Sequence, residues 1–200
     1  MLSRRFTLFL MLAAIFACCV VPQSSKKVDQ SEQTIFGSDA GSPEEFTRKP
    51  VEVPTAALQA IRDSFVRGDL NCLKHFGTTP DEVPASWFVA SEIHLGGPDE
   101  TDLIVRPNVL RIARHELPLH EASGCMLGAN VIPFWVLRNI RGRYALLLET
   151  HALGLEVLDS RSNFYRDIRA TAATAGTHTT VLYKMSDAQY QFAERKTEPN

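Results

Sequence analysis

Residues 131–158 read VIPFWVLRNIRGRYALLLETHALGLEVL, and this stretch decides the fold. It contains three short apolar runs, at 131–137, 144–148 and 153–158. A turn signal at 139–142 separates the first two runs, and Leu153, Leu155 and Val157 alternate along one face of the third. Because no helix-length amphipathic segment intervenes, the runs predict an antiparallel meander rather than alternating strands and helices.

The pattern continues on both sides of this stretch. Further strands are indicated by apolar residues around 87–93, 103–105, 168, 181–183 and 190–192. Ahead of them Leu58, Ile61 and Phe65 form one apolar stripe, which predicts a helix with Thr55 as its cap and Gly68 as its end. The fold class is therefore α+β, mainly β, with an N-terminal helix packed on an antiparallel β-meander.

Three side chains refine this picture. Pro133 indicates an edge position or a bulge in its strand, because proline donates no ladder hydrogen bond. Phe134 and Trp135 are neighbours and point to opposite faces, so one of them is either exposed or covered by the helix. Together with Trp87, both are expected in the core rather than in a ligand platform. The arginine-rich turn at 138–143 is typical of a solvated loop that discourages edge pairing.

The composition excludes several classes of protein. The chain has 200 residues, of which 44% are hydrophobic and 22% charged, and its formal net charge is −2. These values fit one globular domain with a tail, and they argue against a disordered chain, a fibrous repeat and a multi-pass membrane protein. The acidic balance argues against nucleic acid as a partner. No motif predicts a cofactor, a metal site or a catalytic centre.

Residues 1–22 are expected to be a signal peptide. Arg4 and Arg5 precede an uncharged apolar run, Phe6–Ala17, of 12 residues. That length suits a secretory signal and is too short to span a bilayer. The alternative, a buried N-terminal helix, is disfavoured by the polar tract that follows, and the general secretion route fits better than a twin-arginine route.

The sequence Ile15–Cys18 resembles a bacterial lipobox, which predicts lipidation of Cys18 and a protein of the bacterial cell envelope. The alternative is ordinary cleavage near Cys19 and a periplasmic protein. Because cleavage removes Arg4 and Arg5, the mature chain becomes more acidic, so membrane contact is expected only through the lipid. Polar and scattered apolar residues at 23–53 predict a flexible linker, and residues 54–200 predict a single β-rich domain.

The domain keeps two cysteines, Cys72 and Cys125. In an oxidising compartment an even pair favours a disulfide, which would close a loop of about 50 residues. Two separately buried thiols are the alternative.

Two groups of residues resemble a catalytic or a metal-binding site, and each has a simpler interpretation. A small cysteine hydrolase would use Cys125 as nucleophile, His151 as base and Asp159 or Asn163 as orienting group. However, Cys125 precedes a β-like run rather than a helix N-terminus, and a disulfide would remove the thiol. His115 and His120 are five residues apart with Pro118 between them, which favours a polar loop over a zinc helix.

Two loops carry many polar residues. Asp99 and Asp102 lie in a Gly/Asp-rich segment that offers too few ligands for calcium, so a hairpin turn is favoured. The densest polar segment holds a possible recognition loop made of Asp159, Arg161, Asn163, Tyr165, Arg166 and Asp167. The alternative is a tight turn in which Asn and Asp cap backbone groups and an arginine pairs with an aspartate.

Several of these motifs, in order along residues 86–192, resemble a set of small exported bacterial proteins of unknown function. The matches are a degenerate FG-GAP/VCBS-like Gly-Asp loop, Ala129-Asn130, the aromatic hairpin with Phe134-Trp135 and Tyr144, Ser160-Arg161, Asn163, Tyr165-Arg166-Asp167 and Tyr183. The resemblance implies no known activity.

The expected function is a non-enzymatic envelope module that binds an unknown envelope protein or ligand or supports the envelope, and that is lipid-anchored if Cys18 is acylated. The alternative is the exported cysteine hydrolase. A third idea is an inhibitor of an envelope-targeted enzyme.

Overall fold

The computed structural model of the protein describes residues 35–37, 50–97, 101–114, 116, 120–128 and 131–199. The predicted signal peptide and Cys18 lie outside these ranges. Within them, no helix combines the length and the apolar character needed to cross a membrane.

Two helices follow the described residues 50–54. Helix α1 (Thr55–Ser64) buries the predicted stripe, including Leu58 and Ile61, whereas Thr55 is its first residue rather than its cap. Extended backbone after Ser64 ends α1, and α2 (Arg67–His75) starts at once. Gly68 therefore lies inside α2 and does not end the first helix as predicted.

In the described part of the chain, ten strands form two sheets. The first sheet contains β2 (Pro50–Val51), β3 (Phe88–Ile93), β4 (Asp102–Pro107), β5 (Ile132–Ile140) and β6 (Arg143–Ala152). The second contains β1 (Ile35–Gly37), β7 (Gly154–Ser162), β8 (Tyr165–Ala173), β9 (Thr177–Ser186) and β10 (Gln189–Pro199). The strand orders are β2-β3-β4-β5-β6 and β1-β7-β8-β9-β10, and the neighbouring strands run antiparallel. The predicted mainly β fold is thus confirmed.

The chain changes sheets at Leu153, the single residue between β6 and β7. Up to β6, the strands after the helices belong to the first sheet, and from β7 onward to the second. The predicted meander is therefore divided between two sheets. This division places the β5–β6 hairpin in one sheet and the β7–β8 hairpin in the other.

Strands β4 and β5 contribute side chains to two separate hydrophobic cores. Leu103, Val105 and Trp135 pack in the core that includes the helices, whereas Ile104 and Phe134 pack in the core shared by the two sheets. The alternation follows from the period of two along a strand, and burial of both faces explains why these runs are almost continuously apolar.

Trp135 lies under the helix layer. Its ring stands 6.2 Å from that of Phe65 and 5.5 Å from that of Phe88, and its indole nitrogen donates to Ser64 Oγ at 2.8 Å. The expectations that Trp87, Phe134 and Trp135 are core residues, and that the helix region covers one of the adjacent pair, are confirmed, since all three are fully buried.

Pro133 lies near the start of β5, opposite His151 of β6. The ladder between β4 and β5 covers only Trp135 to Leu137 on the β5 side. Strand β5 lies between β4 and β6, so Pro133 is not on an edge strand as predicted. It lies beyond the part of β5 that pairs with β4, where no amide donor towards β4 is needed.

Strands β1 and β2 fall within residues 23–53, which the sequence analysis assigned to a linker. Strand β1 pairs with β7 and β2 with β3, so each contributes an edge strand. Strands of two or three residues depend on pairing with a neighbour rather than on a local pattern, which is why the sequence did not indicate them.

Two short helices, α3 (Val109–Ala113) and α4 (His120–Ser123), connect β4 to β5. Between α4 and β5, the 3-10 turn Gly124–Met126 carries Cys125, which forms the predicted disulfide with Cys72 of α2. The two Cα atoms are 5.7 Å apart, and the bond joins the helix layer to the β4–β5 connection.

Candidate functional site

The β7–β8 turn places an aromatic side chain in solvent. Ser162 pairs with Tyr165, leaving Asn163 and Phe164 as a two-residue turn with φ of 47° and 71°. Such turns favour asparagine followed by glycine, because both central residues adopt positive φ. The turn instead carries Phe164, whose relative exposure is 87%. A bulky residue in this conformation without burial is unfavourable for folding.

The arginines of the predicted recognition loop hold this hairpin in place. Arg161 Nη1 donates to the carbonyl oxygens of Gly96 at 3.0 Å and Phe164 at 2.9 Å. Arg166 Nε donates to the Leu158 carbonyl at 2.8 Å, and its Nη2 donates to Asp159 Oδ1 at 3.0 Å. The Arg161 guanidinium therefore links the turn to the β3–β4 loop, whereas the Arg166 guanidinium bonds to β7 within the hairpin.

The remaining polar groups of this segment also face inward. Asn163 Nδ2 donates to the Met185 carbonyl at 3.0 Å, and the buried Asp167 accepts from Ser160 Oγ at 2.7 Å. Burial, followed by the charges of Asp102 and Asp167, raises the pKa of Tyr190 far above its ordinary value. The segment is thus built as the tight turn that the sequence analysis named as the alternative to a recognition loop, and its exposed centre is Phe164.

A second turn lies beside it. The guanidinium carbon of Arg138 in β5 stands 4.9 Å from the ring centroid of Tyr165 in β8. The β5–β6 turn consists of Arg141 and Gly142, with φ of 54° and 82°. Here glycine does occupy the second position, unlike Phe164 in the neighbouring turn.

We call the two turns, together with the residues next to them, the tip surface. It consists of Arg138, Ile140, Arg141, Arg143, Phe164 and Tyr165. Ile140 is 49% exposed, and Arg141 and Arg143 are exposed as well. The surface combines residues of both sheets and presents two apolar side chains among arginines.

An acidic pair that the sequence analysis missed lies on the helix side of the first sheet. Glu149 is directly opposite Trp135 in the β5–β6 ladder, and Asp69 belongs to the first turn of α2. Burial and then the charge of Asp69 raise the pKa of Glu149 to about 7, against hydrogen bonds from Ser64 and Trp135 that lower it. Burial also raises the pKa of Asp69, which the charge of His151 partly offsets. The pair can hold a proton near neutral pH. The only local signal was a glutamate directly after the apolar run YALLL.

The structure separates the groups of the cysteine hydrolase hypothesis. Cys125 is bonded to Cys72 and offers no thiolate in that state. Asp159 pairs with Arg166 and Asn163 bonds to the β9 backbone, so neither orients His151, which is exposed on β6.

The two other polar segments are described only in part. Asp102 is fully buried in β4, and its Oδ2 accepts from the Leu95 amide at 3.3 Å, which closes the β3–β4 turn; Asp99 lies outside the described residues. His120 begins α4, while His115 also lies outside. Among the described residues, no group of three or more His, Cys, Asp and Glu side chains is arranged to hold a metal ion.

Comparison with known proteins found no matching family model, no similar curated protein and no similar solved structure. The function must therefore be argued from the site.

Proposed function

We propose that the protein is an exported, non-enzymatic binding module of the bacterial cell envelope, anchored through a lipid on Cys18, and that the tip surface contacts its partner. The observation that carries this proposal is Phe164, which is 87% exposed at positive φ. Residues with a strained backbone whose side chains gain no burial are concentrated at functional sites.

The surroundings of Phe164 support a binding role. Arg161 and Arg166 fix the backbone on both sides of the turn, so the ring is presented from a rigid support. Rigid presentation lowers the entropy cost of binding, and exposed aromatic residues are common anchors of interfaces. The disulfide between Cys72 and Cys125 suits an oxidising compartment.

Site-specific photocrosslinking tests the proposal. A photoreactive phenylalanine analogue replaces Phe164 in the full chain, produced in its native cells. The matched control carries the same analogue at Phe192 of β10, which is 60% exposed and lies outside the tip surface. We expect a discrete crosslinked product in the envelope fraction from position 164 and none from position 192. Equal crosslinking at both positions, or an unprocessed protein in the cytosol, would contradict the proposal.

A further inference from the structure

We infer that the partner of the tip surface is the anionic face of a lipid bilayer; this inference rests on the proposed function. Its first support is the shape of the surface. The contact of Arg138 with Tyr165 joins the β5–β6 hairpin to the β7–β8 hairpin near their turns. Each hairpin bears an exposed apolar side chain there, Ile140 at the end of β5 and Phe164 in the β7–β8 turn. Both side chains are exposed and are therefore accessible to a partner surface.

The second support is charge. Arg141 lies in the β5–β6 turn and Arg143 directly follows it, and in the part of the chain that the structure describes neither forms an ion pair. The nearby Asp159 is engaged by Arg166 at 3.0 Å. The tip surface therefore contains three arginines, all from the β5–β6 hairpin, and no carboxylate, although the formal net charge of the whole chain is −2.

The combination of residue types fits an anionic bilayer. Aromatic and aliphatic side chains bury themselves at the level of the lipid headgroups, while flanking arginines reach the phosphates. This inference departs from the expectation that membrane contact occurs only through the lipid, because it adds a contact made by the folded domain.

Vesicle binding of the processed full chain tests this inference. The probes are phosphatidylcholine vesicles with and without phosphatidylglycerol, and the readouts are co-sedimentation and amide hydrogen exchange. We expect binding that requires phosphatidylglycerol, with slower exchange at 139–143 and 162–165. Phe164→Gly should weaken binding by about tenfold or more, and Arg141→Gln and Arg143→Gln by about fivefold each. Glycine suits the turn, so the first variant keeps its fold.

Phe192→Ser is the matched control, since it removes an exposed phenylalanine elsewhere and should leave vesicle binding unchanged. Equal binding to neutral vesicles, or unchanged exchange at both turns, would overturn the inference. If the turns are not protected by vesicles while Phe164 crosslinks to an envelope protein, the lipid assignment fails and the proposed function stands. If position 164 gives no crosslink to any envelope component, the proposed function fails as well.

Discussion

Glu149 faces Trp135 across the β5–β6 ladder, on the side of the sheet that the helices cover. Its position explains the raised pKa, because burial and the charge of Asp69 both disfavour the carboxylate. Sequence reasoning did not find this pair, since α2 and β6 are far apart in the chain and a single glutamate in a strand is usually solvated. The aromatic core around Trp135, by contrast, was predictable from its apolar run.

We expect the free energy of unfolding to fall as the pH rises from about 4.5 to about 7, because the folded state binds the Glu149 proton more tightly than the unfolded state does. Glu149→Gln should flatten this slope and stabilise the protein above that window by on the order of 1 kcal/mol, since partial exposure screens the charge. Chemical denaturation over this pH range is the measurement. An unchanged slope in both Glu149→Gln and Asp69→Asn would show that the pair does not couple to folding.

At the scale of elements, the helices and strands that the sequence predicted were those with long, regular apolar patterns. Helix α1 was found because Leu58 and Ile61 repeat on one face, and the long strands from β5 onward were found because their apolar runs are separated by turns. Helix α2 was not predicted, because Leu73 is its only fully buried residue and the helix therefore has no apolar stripe in its sequence. Strands β1 and β2 are set by their partners rather than by their own sequence.

The disulfide holds α2 against the β4–β5 connection, and its loss should be costly. Cys72 and Cys125 are separated by 53 positions, so the bond considerably reduces the conformational entropy of the unfolded chain. We expect the double variant Cys72→Ser, Cys125→Ser to lose about 3 kcal/mol of unfolding free energy. Denaturation with and without a reductant measures this loss. A reductant should destabilise the wild-type protein to the same extent and leave the variant unaffected; a wild-type protein indifferent to reduction would contradict the expectation.

At the scale of the whole molecule, the tip surface exists only because the two sheets pack together. The turn at Arg141-Gly142 belongs to the first sheet and the turn at Asn163-Phe164 to the second. Each turn was recognisable in the sequence, but their proximity depends on the crossing at Leu153 and on the packing between the sheets. Because the sequence does not show this proximity, it indicates only a solvated loop at the arginine-rich turn and a separate polar segment around Asn163.

The unfolding free energy of Phe164→Gly tests the central claim most directly. If Phe164 is present for binding, glycine at φ 71° relieves strain and the whole molecule should gain roughly 0.5 to 1 kcal/mol of stability while its binding weakens. Denaturant titration of this variant against the wild-type protein provides the number. A clear loss of stability would show that Phe164 serves the fold, and it would contradict the assignment of the tip surface as the binding site.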